Sequence, residues 1–287
     1  MGNGIRSVLI AGYGVMGQGI VRSFVRGGHE TLVLSRDPSR LSDLPAGVQA
    51  VRELPETAPD LVLETIPERM DLKRELYARI EDAYGAGPVI ASNTSSLPLQ
   101  AMADGLRHPE RFIGIHYFQP ADAYPMVEVI RTAQTSDATL ARVEAALGRN
   151  GQSALVLNKP VEGFLVNRLQ HAILNEAYWM IEEGIVTPED VDNFAKWMFG
   201  PRMCVTGMLE QKDISGLQTN AIVQQQLVPT LHLSGKVSRT ILDKIENGDL
   251  GVKTGRGFYD WRDRDVPEHK RRTEAKLAAL MRWLQEN

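Results

Sequence analysis

Ser7-Val8-Leu9-Ile10-Ala11-Gly12-Tyr13-Gly14-Val15-Met16-Gly17 is a short apolar run that breaks on a glycine and continues as an amphipathic stretch to Arg26. The run lacks polar alternation, as a strand buried on both faces does, and the stretch after it has helical spacing. In such a strand–turn–helix, Gly12 permits the tight turn and Gly14 lets a pyrophosphate approach the backbone. Gly17 lets helix and strand pack closely. Val15 and Met16 open the helix, where free N–H groups and the positive dipole end face a phosphate. A glycine-rich turn with no ligand has the same pattern. Its place between strand and helix favours a bound dinucleotide.

The alternation continues outward from this unit. Apolar runs at 7–11, 31–34, 48–51, 61–66, 88–91, 112–118, 126–130 and 153–157 read as strands, and 15–26, 69–84, 97–105 and 137–148 as helices. Asp137 is expected to cap the last helix and Gly148 to stop it. This grammar predicts an α/β, doubly wound, mostly parallel sheet covered by helices. Near residue 160 it changes: 164–183, 218–233 and 238–247 read as helices, with a charged final helix from Glu268 and no β run. Thr187-Pro188-Glu189-Asp190 supplies an N-cap, a proline at the first helical position and acids in the first turn. Two domains are expected, 1–160 for a dinucleotide and an all-α 161–287.

Composition narrows the function. With 32 Lys+Arg against 36 Asp+Glu the net charge is −4, so no basic field favours a nucleic-acid partner. No segment reaches the ~18 uncharged apolar residues of a membrane span. The opening MGNGIRSVLIAG has no small-residue cleavage site for a secretory signal. The single cysteine, Cys204, rules out an internal disulfide framework or a cysteine-based metal site. A cytoplasmic protein with a small-molecule substrate and no metal is expected.

Three further places carry chemistry. At the end of the second strand, where an acid normally binds the adenosine ribose, stand Ser35 and Arg36. Arginine pairs a 2′-phosphate that an acid would repel, favouring NADP(H) over NAD(H), although Asp37 could supply the acid a residue late. His116 lies near the end of one apolar run, and Glu128 interrupts the next. On adjacent strands the carboxylate would fix the imidazole tautomer and stabilise its protonated form. Such a base accepts a hydroxyl proton while hydride leaves the same carbon. Ser92-Asn93-Thr94-Ser95-Ser96 follows the run at 88–91, facing the same cleft or merely capping a helix.

Together with Gly163-Phe164-Leu165-Val166-Asn167-Arg168 and Gly251-Val252-Lys253-Thr254-Gly255-Arg256-Gly257-Phe258-Tyr259, these motifs make residues 5–261 resemble the L-3-hydroxyacyl-CoA dehydrogenase family. The resemblance implies a Rossmann domain followed by a helical domain through which the family dimerises. It implies that His116 is the catalytic acid/base, Glu128 its orienting carboxylate, and Ser95 and Asn167 the groups that bind the substrate oxygen. Glu68, Lys73, Asn93 and Lys253 match positions lining the cofactor site; otherwise they read as surface ion pairs and, for Asn93, a cap. An NAD(P)-dependent oxidoreductase interconverting 3-hydroxyacyl and 3-oxoacyl groups is expected, with an acyl-CoA thioester the first substrate reading. Two departures stand out. Gln119 replaces the family's asparagine beside the histidine, which would reshape that turn. Residues 36–63 are too few for the helical hairpin that contacts coenzyme A in the acyl-CoA enzymes. The alternatives are a small free β-hydroxy acid as substrate, or a catalytically silent cofactor-binding protein.

Overall fold

The computed structural model describes residues 4–286. The chain divides into two compact units between Arg168 and Leu169, so Asn167 and the residues before it belong with the sheet.

The first unit holds strands β1 (Ser7–Ala11), β2 (Glu30–Leu34), β3 (Gln49–Val51), β4 (Leu61–Glu64), β5 (Val89–Ser92), β6 (Phe112–His116), β7 (Met126–Ile130) and β8 (Ser153–Leu157). Their order in the sheet is β3-β2-β1-β4-β5-β6-β7-β8. Pairing is parallel from β3 through β6, β7 runs antiparallel to β6, and β8 follows β7 in parallel. The strand order reverses between β1 and β4, which opens a crevice outside their carboxyl ends, the usual ligand site of such sheets.

Both faces of the sheet are covered, which is why its strands lack polar alternation. On one face, Ile20, Val21 and Phe24 of α1 (Val15–Arg26) and Val143 and Leu147 of α4 (Asp137–Arg149) pack on Val8, Ile10 and Ile113. On the other, Tyr77 and Ile80 of α2 (Met70–Tyr84) and Met102 of α3 (Leu99–Ala103) pack on Leu9, Val62 and Phe112.

Local chemistry moves several boundaries. The helix expected over 97–105 is only α3, because Pro98 holds its neighbour Leu97 out of helical backbone and itself becomes the N-cap. The cap of α4 is Ser136, whose Oγ accepts from the Thr139 N–H, and not Asp137, which occupies the first turn. Gly148 does not stop α4 either. The helix runs to Arg149, and Gly151 takes the left-handed turn beyond it at φ 73°.

The second unit is helical: the rest of α5 (Val166–Glu182), α6 (Pro188–Phe194), a π-helical stretch (Ala195–Phe199), α7 (Gly200–Val205), α8 (Glu210–Ser215), α9 (Leu217–Leu227), α10 (Arg239–Glu246) and α11 (Val266–Glu286). Thr187 and Asp190 form a reciprocal capping box at α6, with Pro188 at its first position. The helix expected over 218–233 ends at Leu227 in a 3₁₀ turn containing Pro229, which cannot continue the ladder. Among the described residues of this unit there is no strand, only isolated bridges about Arg256. Ala177 is its only buried residue among those described. Leu209, Leu233 and Trp197 are 82%, 84% and 77% exposed.

Candidate active site

The glycine turn separates three physical demands. Gly12 sits at φ +104°, where a Cβ would lie 2.8 Å from Thr65 Oγ1. A Cβ on Gly17 would fall 2.3 Å from the Gly12 carbonyl oxygen. Gly14 has nothing within 4 Å of where its Cβ would be. Gly12 and Gly17 are therefore required by the fold, whereas Gly14 borders open space. The N-terminus of α1 at Gly14 has no side-chain cap and no acid in its first turn. Val15 is exposed there, while Met16 packs toward the core. Free N–H groups beside a cradle that a side chain would fill suit the pyrophosphate of a dinucleotide. Gly14→Val is expected to leave the thermal midpoint within about 2 °C, since Gly14 φ and ψ are extended and the space is open. The same variant should weaken NADH binding, read by fluorescence titration, at least about tenfold. Unchanged affinity would remove the pyrophosphate from this turn.

At the end of β2, Ser35 is half-buried and its Oγ accepts from the Asp37 N–H at 3.3 Å. Asp37 pairs with Arg40 at 2.9 Å and accepts from Ser39 Oγ. Arg36 is exposed and has no hydrogen-bond or ion-pair partner among the described residues.

His116 and Glu128 face each other directly across the β6–β7 pair. The His116 Nδ1–H donates to Glu128 Oε2 at 2.7 Å, so in the neutral form of the ring Nε2 is the unprotonated nitrogen. Nε2 is neither bonded nor sealed among the described residues. The rings of Phe118 and Phe164 stand edge-on to the imidazole at 4.6 and 5.2 Å. The other carboxylate oxygen, Glu128 Oε1, accepts the Leu165 and Val166 N–H groups at 2.9 Å each, capping α5. Burial pushes the Glu128 carboxyl up, but the His116 hydrogen bond, the two amides and the imidazole charge outweigh it and hold it below its ordinary range. The stability this confers is complete above the unfolded carboxylate pKa and is lost as pH falls through the lower folded value. Just after Phe118, Gln119–Pro120 is a cis peptide.

The 92–97 turn follows β5, which lies parallel to β6 and so ends beside His116. Asn93 Oδ1 accepts the Tyr117 N–H at 2.9 Å, tying this turn to the residue after the histidine; Asn93 caps no helix. Ser92 Oγ donates to Glu64, and Thr94 Oγ1 and Ser96 Oγ donate to Glu68. Of the hydroxyls in the run, Ser95 Oγ alone has no partner among the described residues, and Ser95 is exposed. Asn167, in the first turn of α5, is half-buried with an unpartnered side chain next to the Val166 amide that holds Glu128.

Two cofactor-lining expectations change. Lys73 is 1% exposed, and its ammonium meets both Glu64 oxygens at 2.7 and 2.6 Å and Glu68 Oε2 at 3.4 Å. It is neither a surface ion pair nor open to a ligand. Glu68 instead serves the 94–96 turn through Oε1. Lys253 lies exposed in the second unit. Reading the sequence alone missed that Glu64, with Tyr77 and Ser92 donating to it, seals the end of β4. An acid closing an apolar strand, nine residues before a lysine, was the available signal.

Among the described residues no cluster of side chains suits a metal ion, and no helix is long and apolar enough to cross a membrane. Comparison with known proteins agrees with this geometry. Residues 46–160 match the family model for the 3-hydroxyacyl-CoA dehydrogenase NAD binding domain, and residues 163–261 match that for the 3-hydroxyacyl-CoA dehydrogenase C-terminal domain. A 5-formyl-3-hydroxy-2-methylpyridine 4-carboxylate 5-dehydrogenase from Mesorhizobium japonicum is 29% identical over 98% of this chain and 99% of its own. A probable 3-hydroxybutyryl-CoA dehydrogenase from Bacillus subtilis is 30% identical over 91% of this chain and 99% of its own. The solved structure of a 5-formyl-3-hydroxy-2-methylpyridine 4-carboxylic acid 5-dehydrogenase, described as an NAD+ dependent dismutase, superposes with a TM-score of 0.91. It is 28% identical and covers 98% of this chain and 99% of that one. With its nucleotide turn, its opposed histidine and glutamate, and both family models matched in order, the chain belongs to the 3-hydroxyacyl-CoA dehydrogenase family of NAD-dependent oxidoreductases.

Proposed function

We propose that the protein interconverts a hydroxyl and a carbonyl on a small free carboxylic acid, and that coenzyme A is not its main handle. One observation carries the choice of substrate: between β2 and β4 the chain forms only a 3₁₀ turn (Pro38–Arg40) and the three-residue β3, with no helical hairpin. The likeness over nearly the whole length to a dehydrogenase named for a pyridine carboxylate supports the same reading.

Bound NAD(H) would lie along the Gly12–Gly17 turn and supply the hydride acceptor or donor. Glu128 holds the Nδ1–H, so Nε2 of His116 takes the substrate hydroxyl proton during oxidation and returns it during reduction. Ser95 and Asn167 donate to the substrate oxygen. Phe118 and Phe164 flank the imidazole and limit water beside it. The test is NADH and NADPH oxidation with acetoacetate against acetoacetyl-CoA. Higher kcat/KM with the free acid is expected; a preference of about tenfold or more for the thioester would overturn the substrate reading.

The unpaired Arg36, beside an Asp37 occupied by Arg40 and Ser39, supports a preference for the 2′-phosphate of NADPH. Arg36→Ala should weaken NADPH by roughly 1.5–3 kcal/mol, about 10- to 100-fold, and NADH far less. Equal losses for the two cofactors would refute it.

The second unit, with Ala177 alone buried among its described residues, lacks a core able to offset its chain entropy. Apolar exposure on that scale marks an association surface, and a second copy of the chain is the occupant in this reading. A monomer by light scattering at micromolar concentration would contradict the homodimer. The exposed thiol of Cys204 fits a reducing cytoplasm.

A further inference from the structure

We propose that Glu68 is a positioning residue that fastens the turn carrying Ser95, and that buried Lys73, anchored on Glu64, fixes Glu68 in turn. The inference rests on Ser95 binding the substrate oxygen, as proposed above.

The geometry is a relay of charges from the sheet to the turn. Glu64 closes β4 and is 1% exposed. It accepts from Lys73 Nζ at 2.7 and 2.6 Å, Tyr77 OH at 3.0 Å, Ser92 Oγ at 2.5 Å and the Ile66 N–H at 3.2 Å. Its charge is therefore satisfied and its position fixed by both neighbouring elements. Lys73, in the first turn of α2, spends its remaining attraction on Glu68 Oε2 at 3.4 Å. The other oxygen, Glu68 Oε1, receives Thr94 Oγ1 at 2.5 Å, the Ser95 N–H at 3.0 Å, the Ser96 N–H at 3.1 Å and Ser96 Oγ at 3.1 Å. Of the donors of residues 94–96, only the Thr94 N–H, which goes to Ser92 Oγ at 3.2 Å, and Ser95 Oγ, which has no partner among the described residues, do not turn toward that one atom.

A carboxylate is the only side chain of this length that serves both ends. Its two oxygens accept and neither donates. Glutamine would present its NH₂ either to the Lys73 ammonium or to the donors of the turn, and each arrangement sets donor against donor. Burial raises the Glu68 carboxyl, but the Thr94 hydroxyl, Lys73 and the two amides together hold it below its ordinary value, so the clamp is charged at neutral pH. Catalytic groups misplaced by about 1 Å lose about 10²-fold in rate, so loosening this turn acts on turnover and not on cofactor affinity.

The experiment compares full-length Glu68→Gln, Ser95→Ala and the double variant. It reads amide hydrogen exchange of residues 93–97, NADH affinity, and kcat with whichever of acetoacetate and acetoacetyl-CoA turns over. For Glu68→Gln, exchange at Ser95 and Ser96 should quicken about tenfold or more while β7 stays protected. NADH Kd should hold within about threefold, and kcat should fall about 10- to 100-fold. On the Ser95→Ala background the Glu68 substitution should cost little further, because both changes act through one hydroxyl. Unchanged exchange at Ser95 and Ser96 overturns the clamp whatever the substrate. So does a tenfold loss of NADH affinity with kcat kept, which would make Glu68 a cofactor contact. Full additivity also overturns it. If Ser95→Ala alone leaves kcat unaltered, the role given to Ser95 fails separately, and exchange still decides whether Glu68 holds the turn.

Discussion

His116→Ala is expected to lower kcat about 10²- to 10⁴-fold while the protein stays folded and binds NADH as before. The imidazole is 5% exposed, and its removal leaves a small cavity between Phe118 and Phe164 without breaking a backbone bond of β6 or β7. Glu128 Oε1 keeps its two amide donors from Leu165 and Val166, while Oε2 loses the His116 Nδ1–H, at a cost of about 1–3 kcal/mol. The protein should therefore stay folded with a lowered thermal midpoint, and the larger loss should appear in turnover. A rate within about threefold of the parent protein would remove His116 from the chemistry. A parallel collapse of NADH affinity would recast it as a structural strut.

The second large effect is on stability. Lys73→Met should destabilise the sheet-bearing unit by about 3–5 kcal/mol, because Glu64 is left as a buried charge without its counter-ion. Glu68 would lose its support at the same time. Adding Glu64→Gln to that variant keeps an acceptor for Tyr77 and Ser92 and removes the stranded charge, so it should restore most of the loss. Urea unfolding, followed by a probe in the sheet, measures both. A single-variant loss below about 1 kcal/mol, or a double variant no better than the single, would show that the pair contributes little.

The sheet was legible because its strands are apolar on both faces and punctuated by glycine and charge. β1, β7 and β8 stand at the expected residues, and Gly12 and Gly17 meet the tight turn and the close packing expected of them. The opposition of His116 to Glu128 was legible for a related reason: each is a single polar interruption of a buried strand, and burial forces such groups to pair. Glu64, Lys73 and Glu68 were harder. Their spacing in sequence, from the end of β4 through the segment before α2 to its first turn, suits a surface ion pair equally well, and only the pairing of β4 with β5 brings Ser92 and the 94–96 turn onto them. The α4 cap was ambiguous because Ser136 and Asp137 are both good capping residues, and one residue's backbone angle decides between them. In the second unit, helix spacing was readable, but the missing core was not: apolar periodicity does not say whether its face meets this chain or another.

The shared carboxylate of Glu128 has a consequence for how such a scaffold diversifies. One oxygen steadies the imidazole and the other anchors the amides that begin α5, so the placement of the ring is coupled to the backbone around 164–166. Substitutions in that short segment would alter how Glu128 holds the imidazole while both strands stay untouched.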